Sequence, residues 1–129
     1  MPLLVKICGL KTPDALDAAL EAGADMVGFV FFPPSPRNLG IEAARALGER
    51  VQGRAKKVAL SVDATDAELD RAVEALKPDM LQLHGQETPE RVVAVRSRFG
   101  LPVMKALPVE TACERVRFQS VTRVIGRTV

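Results

Sequence analysis

A chain of 129 residues, 47% hydrophobic and 26% charged, holds enough apolar material for one folded domain over 1–129 and falls outside the disordered class. Residues 1–114 carry 14 Lys and Arg against 16 Asp and Glu, while 115–129 hold four Arg and no acid, so the basic excess is confined to an atypical tail and no nucleic-acid partner is expected. No apolar run approaches the ~20 residues of a membrane span and no signal-like head opens the chain, so a cytoplasmic protein with no membrane partner is expected.

The cysteines and the histidine narrow the chemistry further. Cys8 and Cys113 are too few for a disulfide scaffold, and a single histidine without a Cys-x-x-Cys pair argues against a structural zinc site.

In chain order, Leu3-Leu4-Val5-Lys6-Ile7-Cys8 is apolar and β-prone and predicts a first strand over 3–8, with Lys6 and Cys8 on one face because side chains alternate. Gly9 allows a tight exit, and Thr12-Pro13-Asp14 is a helix start with a capping hydroxyl, a proline in the first turn and an early acid. A helix follows over 13–22, closed by Gly23, then a strand over 26–32. The segment from Pro33 to Gly40 contains three prolines and must be a stiff loop. Helices are predicted over 41–51, 66–76 and 89–99, strands over 56–62, 79–84 and 102–106, then a weaker helix over 110–118 and a sixth strand over 121–125.

Strand starts near 3, 26, 56, 79, 102 and 121 fit βα units and a parallel sheet with right-handed connections. Leu16-Asp17-x-Ala19-x-Glu21-Ala22 before Asp25-Met26 is echoed by Leu69-Asp70-x-Ala72-x-Glu74-Ala75 before Asp79-Met80. Common helix composition explains the echo as well as a doubled two-unit block does. Strand parity puts Leu4, Lys6 and Cys8 on one face, and Met80, Gln82 and His84 on one face of the fourth strand. An open doubly wound sheet would leave Lys6 and Gln82 in an apolar layer, whereas a barrel lets them line its axis, which favours a barrel with strand order 1-2-3-4-5 over a flavodoxin-like 2-1-3-4-5.

Three ordered motifs at strand ends, Lys6-Ile7-Cys8-Gly9-Leu10, Gly28-Phe29-Val30-Phe31 running into Ser35-Pro36-Arg37, and Leu81-Gln82-Leu83-His84-Gly85, resemble phosphoribosylanthranilate isomerase of tryptophan biosynthesis over roughly 3–110. The resemblance implies an α/β fold built of parallel (β/α) units of a TIM barrel, incomplete at about five units of eight. It implies an Amadori rearrangement of an anthranilate-linked aminoaldose phosphate to an aminoketose phosphate, with no metal and no cofactor. By resemblance Cys8 is the catalytic base, with Lys6 and the helix starting at Thr12 supplying positive potential beside it. Arg37 pairs the anthranilate carboxylate, a task suited to a planar guanidinium. Lys6, Gln82 and His84 are substrate-contacting wall residues, while Asp63 reads equally as a turn or cap residue.

The family's acid is an aspartate ending the sixth strand, yet no Asp or Glu follows Glu114, and its phosphate loops follow later strands. Two readings therefore stand: an isomerase polypeptide, truncated or frame-shifted and of weak turnover on its own, and a non-catalytic α/β fragment or small-molecule binding module. The partner expected is the sugar-phosphate anthranilate substrate. Self-association through open barrel edges is also expected, because Leu4, Val30 and Met80 would be exposed on an uncovered inner face.

Overall fold

The computed structural model describes residues 3–107. Among the described residues five strands alternate with four helices: β1 (Lys6–Ile7), α1 (Pro13–Glu21), β2 (Met26–Phe31), α2 (Ile41–Val51), β3 (Lys56–Ser61), α3 (Asp66–Leu76), β4 (Met80–Leu83), α4 (Pro89–Phe99) and β5 (Val103–Lys105). The helix expected over 110–118, the strand over 121–125 and Cys113 lie outside the described residues. All strand pairs are parallel and the order is β1-β2-β3-β4-β5, which excludes the flavodoxin-like order. Among the described residues no helix is long and apolar enough to cross a membrane.

The helices begin where threonines satisfy free amides. Thr12, Thr65 and Thr88 each accept from the amide three residues on, with Pro13 and Pro89 following two of these caps and Glu68 closing a reciprocal capping box on Thr65. Helix α2 starts from Gly40 with no side-chain cap, and its approach to α3 is close, since a Cβ on Gly48 would meet the Leu76 carbonyl oxygen at 2.9 Å. Lys57 donates to that same carbonyl at 2.9 Å, satisfying an acceptor at the end of α3 that the helix itself leaves free.

Register divides the sheet into two faces. Val27, Phe29, Ala59, Leu81, Leu83 and Val103 pack with Leu16, Leu47, Leu69, Leu76, Val92 and Val95 of the helices into one core. Pairings Gly28↔Val58, Val58↔Met80 and Gln82↔Met104 put the alternate residues on the opposite face. That face is more covered than the sequence suggested, since Val30 is only 6% exposed. The loop after β2 explains part of the difference: it returns to pair Asn38 with Val30, with the Leu39 amide 2.8 Å from the Val30 carbonyl. Val58, Leu60 and Met104 are buried on the same side, Met80 is half-buried, and Leu4 remains 60% exposed.

Strand β1 is shorter than expected because it has a strand on one side only among the described residues. Leu3 and Leu4 extend past that pairing into solvent, while Val5 stays tied to the start of β2, its amide donating to the Asp25 carboxylate at 2.8 Å and its carbonyl accepting from Asp25 and Met26.

The sequence echo corresponds to repeated structural roles. Leu16 and Leu69 are buried at matching helix positions, as are Ala19 and Ala72. Asp25 and Asp79, each just before its strand, accept the amides of Val5, just ahead of β1, and of Lys57 in β3, both at 2.8 Å. Asp17 and Asp70 each receive an arginine from the next helix, Arg50 at 2.6 Å and Arg98 at 2.7 Å, and Glu74 receives Arg45 at 3.2 Å.

These arginine hydrogen bonds, reinforced by charge attraction, hold the Asp17, Asp70 and Glu74 carboxyls below their ordinary range. A carboxyl lowered on folding contributes stability that is present above its unfolded value and is lost as pH falls through the folded one. The urea midpoint is therefore expected to hold above about pH 5 and to fall below about pH 4, less steeply at high salt. A midpoint unchanged on acidification to about pH 3 would show that the pairs contribute nothing.

Candidate active site

Cys8 and His84 stand at the C-terminal strand ends, on the face away from the helices. Cys8 follows β1 and lies beside Gly28 of β2, so close that a Cβ there would sit 2.8 Å from Sγ and 3.2 Å from the Cys8 Cα. Only glycine at position 28 leaves room for the thiol where it stands. The Gly9 and Leu10 amides donate to the Gly28 carbonyl at 3.0 and 3.2 Å, and the chain leaves the sheet at Gly9, whose φ of +82° suits glycine. Helix α1 starts shortly afterwards behind its Thr12 cap.

Because β1 ends early, the edge of β2 beyond it is free to take the returning loop. Pairing at Val30 lays that loop beside Gly9, and the Ser35 hydroxyl accepts the Arg37 amide at 3.1 Å. The Lys11 ammonium donates to the Pro36 carbonyl at 3.0 Å, tying the prolines back to the first turn. Arg37 then crosses directly over Gly9, where a Cβ would meet its Cδ at 2.7 Å. Cys8 and Arg37, 29 positions apart in the chain, thus lie at neighbouring points of one edge.

Lys6, Gln82 and His84 share the Cys8 face by register. Lys6 is half-buried one step below the thiol. Gln82 is buried, and its Oε1 has no hydrogen-bond partner among the described residues; His84 follows β4 with a buried Nδ1 that also lacks one among them, although its amide donates to the Ser61 carbonyl at 2.9 Å. Buried polar atoms of this kind need a partner from a ligand or from solvent. Asp63 resolves as a turn residue: it adopts φ +47°, and its Oδ1 accepts the Gln86 amide at 2.8 Å.

Sequence reasoning missed the buried Glu87–Lys105 pair, 2.7 Å apart, behind the His84 turn. Burial pushes the Glu87 carboxyl up, but hydrogen bonds from Lys105 and from backbone amides, with the Lys105 charge, outweigh it and hold the group below its ordinary range. A lysine inside the apolar strand Val103-Met104-Lys105 was the available signal, and its pairing with Leu83 assigns it to the helix-facing side.

Comparison with known proteins assigns the chain to a family. Residues 5–127 match the family described as N-(5'phosphoribosyl)anthranilate (PRA) isomerase, so the match runs past the motifs and into the basic tail. A protein of Rhodopseudomonas palustris (strain HaA2) named N-(5'-phosphoribosyl)anthranilate isomerase is 66% identical over 112 residues, 87% of this chain and 51% of its own. A crystal structure of phosphoribosyl anthranilate isomerase from Thermotoga maritima superposes with a TM-score of 0.85 at 28% identity, covering 95% of this chain and 60% of that one. Another, in complex with reduced 1-(o-carboxyphenylamino)-1-deoxyribulose 5-phosphate, gives 0.82 at 29% identity over 90% of this chain and 59% of that one. The chain spans about half the length of the curated relatives it matches.

Proposed function

Because this chain belongs to the N-(5'phosphoribosyl)anthranilate (PRA) isomerase family, we propose that it carries the base and the carboxylate clamp of a cytoplasmic phosphoribosylanthranilate isomerase of tryptophan biosynthesis. The substrate is N-(5'-phosphoribosyl)anthranilate and the product 1-(2-carboxyphenylamino)-1-deoxyribulose 5-phosphate. Protonation of the ring oxygen opens the sugar to an imine. A base then removes the proton from the adjacent carbon, and the resulting enol settles as the ketone. Cys8 is that base, Arg37 holds the anthranilate carboxylate, and Lys6, Gln82 and His84 line the wall beside the sugar.

The observation that carries this reading is the seating of Cys8 on Gly28 and of Arg37 on Gly9, which sets a thiol and a guanidinium along one strand edge. The matching relatives bear the isomerase name, which favours this reading over a non-catalytic binding module. Arg37→Ala is expected to weaken binding of the reduced carboxyphenylamino analogue about 10–100-fold, the scale of hydrogen bonds to a charged group. Binding of ribulose 5-phosphate, which lacks the carboxylate, should be unaffected. Equal losses for both ligands, measured by titration calorimetry, would remove Arg37 from the carboxylate role.

Association of copies along β1 belongs to the same proposal. The strand's outer edge is unpaired among the described residues, and Leu3 and Leu4 beside it are exposed. Light scattering is expected to give a mass that rises with concentration, and a constant monomer mass would count against it.

A further inference from the structure

The Glu87–Lys105 pair holds two charges whose side chains are 4% and 2% exposed, in a protein that forms several ion pairs at its surface at little desolvation cost. Replacing a buried pair with apolar groups of similar size is often neutral or stabilising, so burial of the charges calls for another account. Their hydrogen bonds supply one. Glu87 Oε1 accepts the Gly85 amide at 2.7 Å as well as the Lys105 ammonium, and Oε2 accepts the Asp63 amide at 2.9 Å. The same ammonium donates to the Gly85 carbonyl. Asp63 in turn takes the Gln86 amide, and its carboxylate lies so close to Gly85 that a Cβ there would be 2.6 Å from Cγ.

These bonds account for the backbone around one residue. The His84 amide goes to Ser61, both polar groups of Gly85 go to the ion pair, and the Gln86 amide goes to Asp63. The imidazole is therefore attached to a backbone fixed on both sides, while its own buried Nδ1 has no partner among the described residues. We propose that Glu87, Lys105 and Asp63 are positioning residues that set the His84 imidazole against the substrate, acting through the turn after β4. This deepens the isomerase reading and rests on it for the word substrate. The geometric part concerns His84 alone.

His84 is the chain's single histidine, so its imidazole signals can be followed by proton–carbon NMR on the full chain without assignment. In the double variant Glu87→Met/Lys105→Met the signals are expected to move toward free-imidazole values and to broaden. The reduced carboxyphenylamino analogue should bind roughly tenfold more weakly, the scale of one hydrogen bond. Should the double variant fail to fold, the exposed Asp63 gives the second arm. Asp63→Ala is expected to shift the imidazole signals, and Asp63→Asn, which keeps an acceptor and tolerates positive φ, to restore them.

Imidazole signals unchanged in a folded double variant, or in Asp63→Ala where the double variant does not fold, would overturn the positioning role. Signals that move in the variants but ignore the analogue in the unsubstituted chain would keep that role and remove the isomerase reading of His84.

Discussion

Cys8→Ala in the protein that carries this sequence is expected to lower isomerase turnover by about 10²–10⁴-fold, the contribution typical of one general acid–base group. Binding of the reduced carboxyphenylamino analogue should stay within a few-fold, because Lys6, Arg37, Gln82 and His84 are untouched. The prediction follows from placement: the thiol is half-buried against Gly28, in the same edge as the Arg37 guanidinium. Cys8→Ser should recover little, since a hydroxyl of similar shape is a far weaker base at neutral pH. Steady-state kinetics decide the matter. Turnover within tenfold of the unsubstituted protein would mean that another group takes the proton.

Lys105→Ala should bring a large loss of stability. Removing one partner of a buried ion pair leaves the other charge in a poorly solvated place, at a cost of about 3–5 kcal/mol, against a total of roughly 5–15 kcal/mol for a typical domain. The Glu87 carboxylate would keep its two backbone donors but lose the charge that offsets its burial. Urea denaturation at neutral pH should show the midpoint drop, and a loss below about 1 kcal/mol would place the pair among weak, solvent-screened bridges. The matching pH effect has a definite sign. With the folded carboxyl below its ordinary range, the pair's contribution is present at neutral pH and is lost as pH falls through that lowered value.

Much of the fold was legible because the signals were local. The Thr12 cap, Pro13 after it and Gly23 beyond α1 mark boundaries in the sequence, and Thr65, Thr88, Pro89 and Gly100 take the same places in the structure. Helices α2, α3 and α4 accordingly fall where the pattern put them. Strand β1 was read too long because pairing is a property of neighbours, and Leu3 and Leu4 are β-prone without being paired. Val30 was expected in solvent for the same reason, since a returning loop cannot be read from the strand it pairs with.

The site was legible in part. Cys8, Arg37 and His84 stand in motifs that announce themselves, and face parity correctly grouped Lys6 and Cys8, and Met80, Gln82 and His84. What parity could not supply was the part played by Gly28 and Gly9, whose missing side chains admit the thiol and the arginine stem. The Glu87–Lys105 pair joins a turn to a strand 18 residues later. Nothing local to Glu87 distinguishes it from an ordinary loop acid.

The most direct measurement is a crystal structure of the protein with the reduced carboxyphenylamino analogue bound. The aryl carboxylate is expected in two hydrogen bonds with Arg37 at about 2.7–2.9 Å, and the sugar carbon next to the amine about 3–3.5 Å from the Cys8 sulfur, the range of a near-attack geometry. An analogue lying at the strands' other end, or one whose carboxylate is held elsewhere while Cys8 faces no sugar carbon, would contradict this expectation.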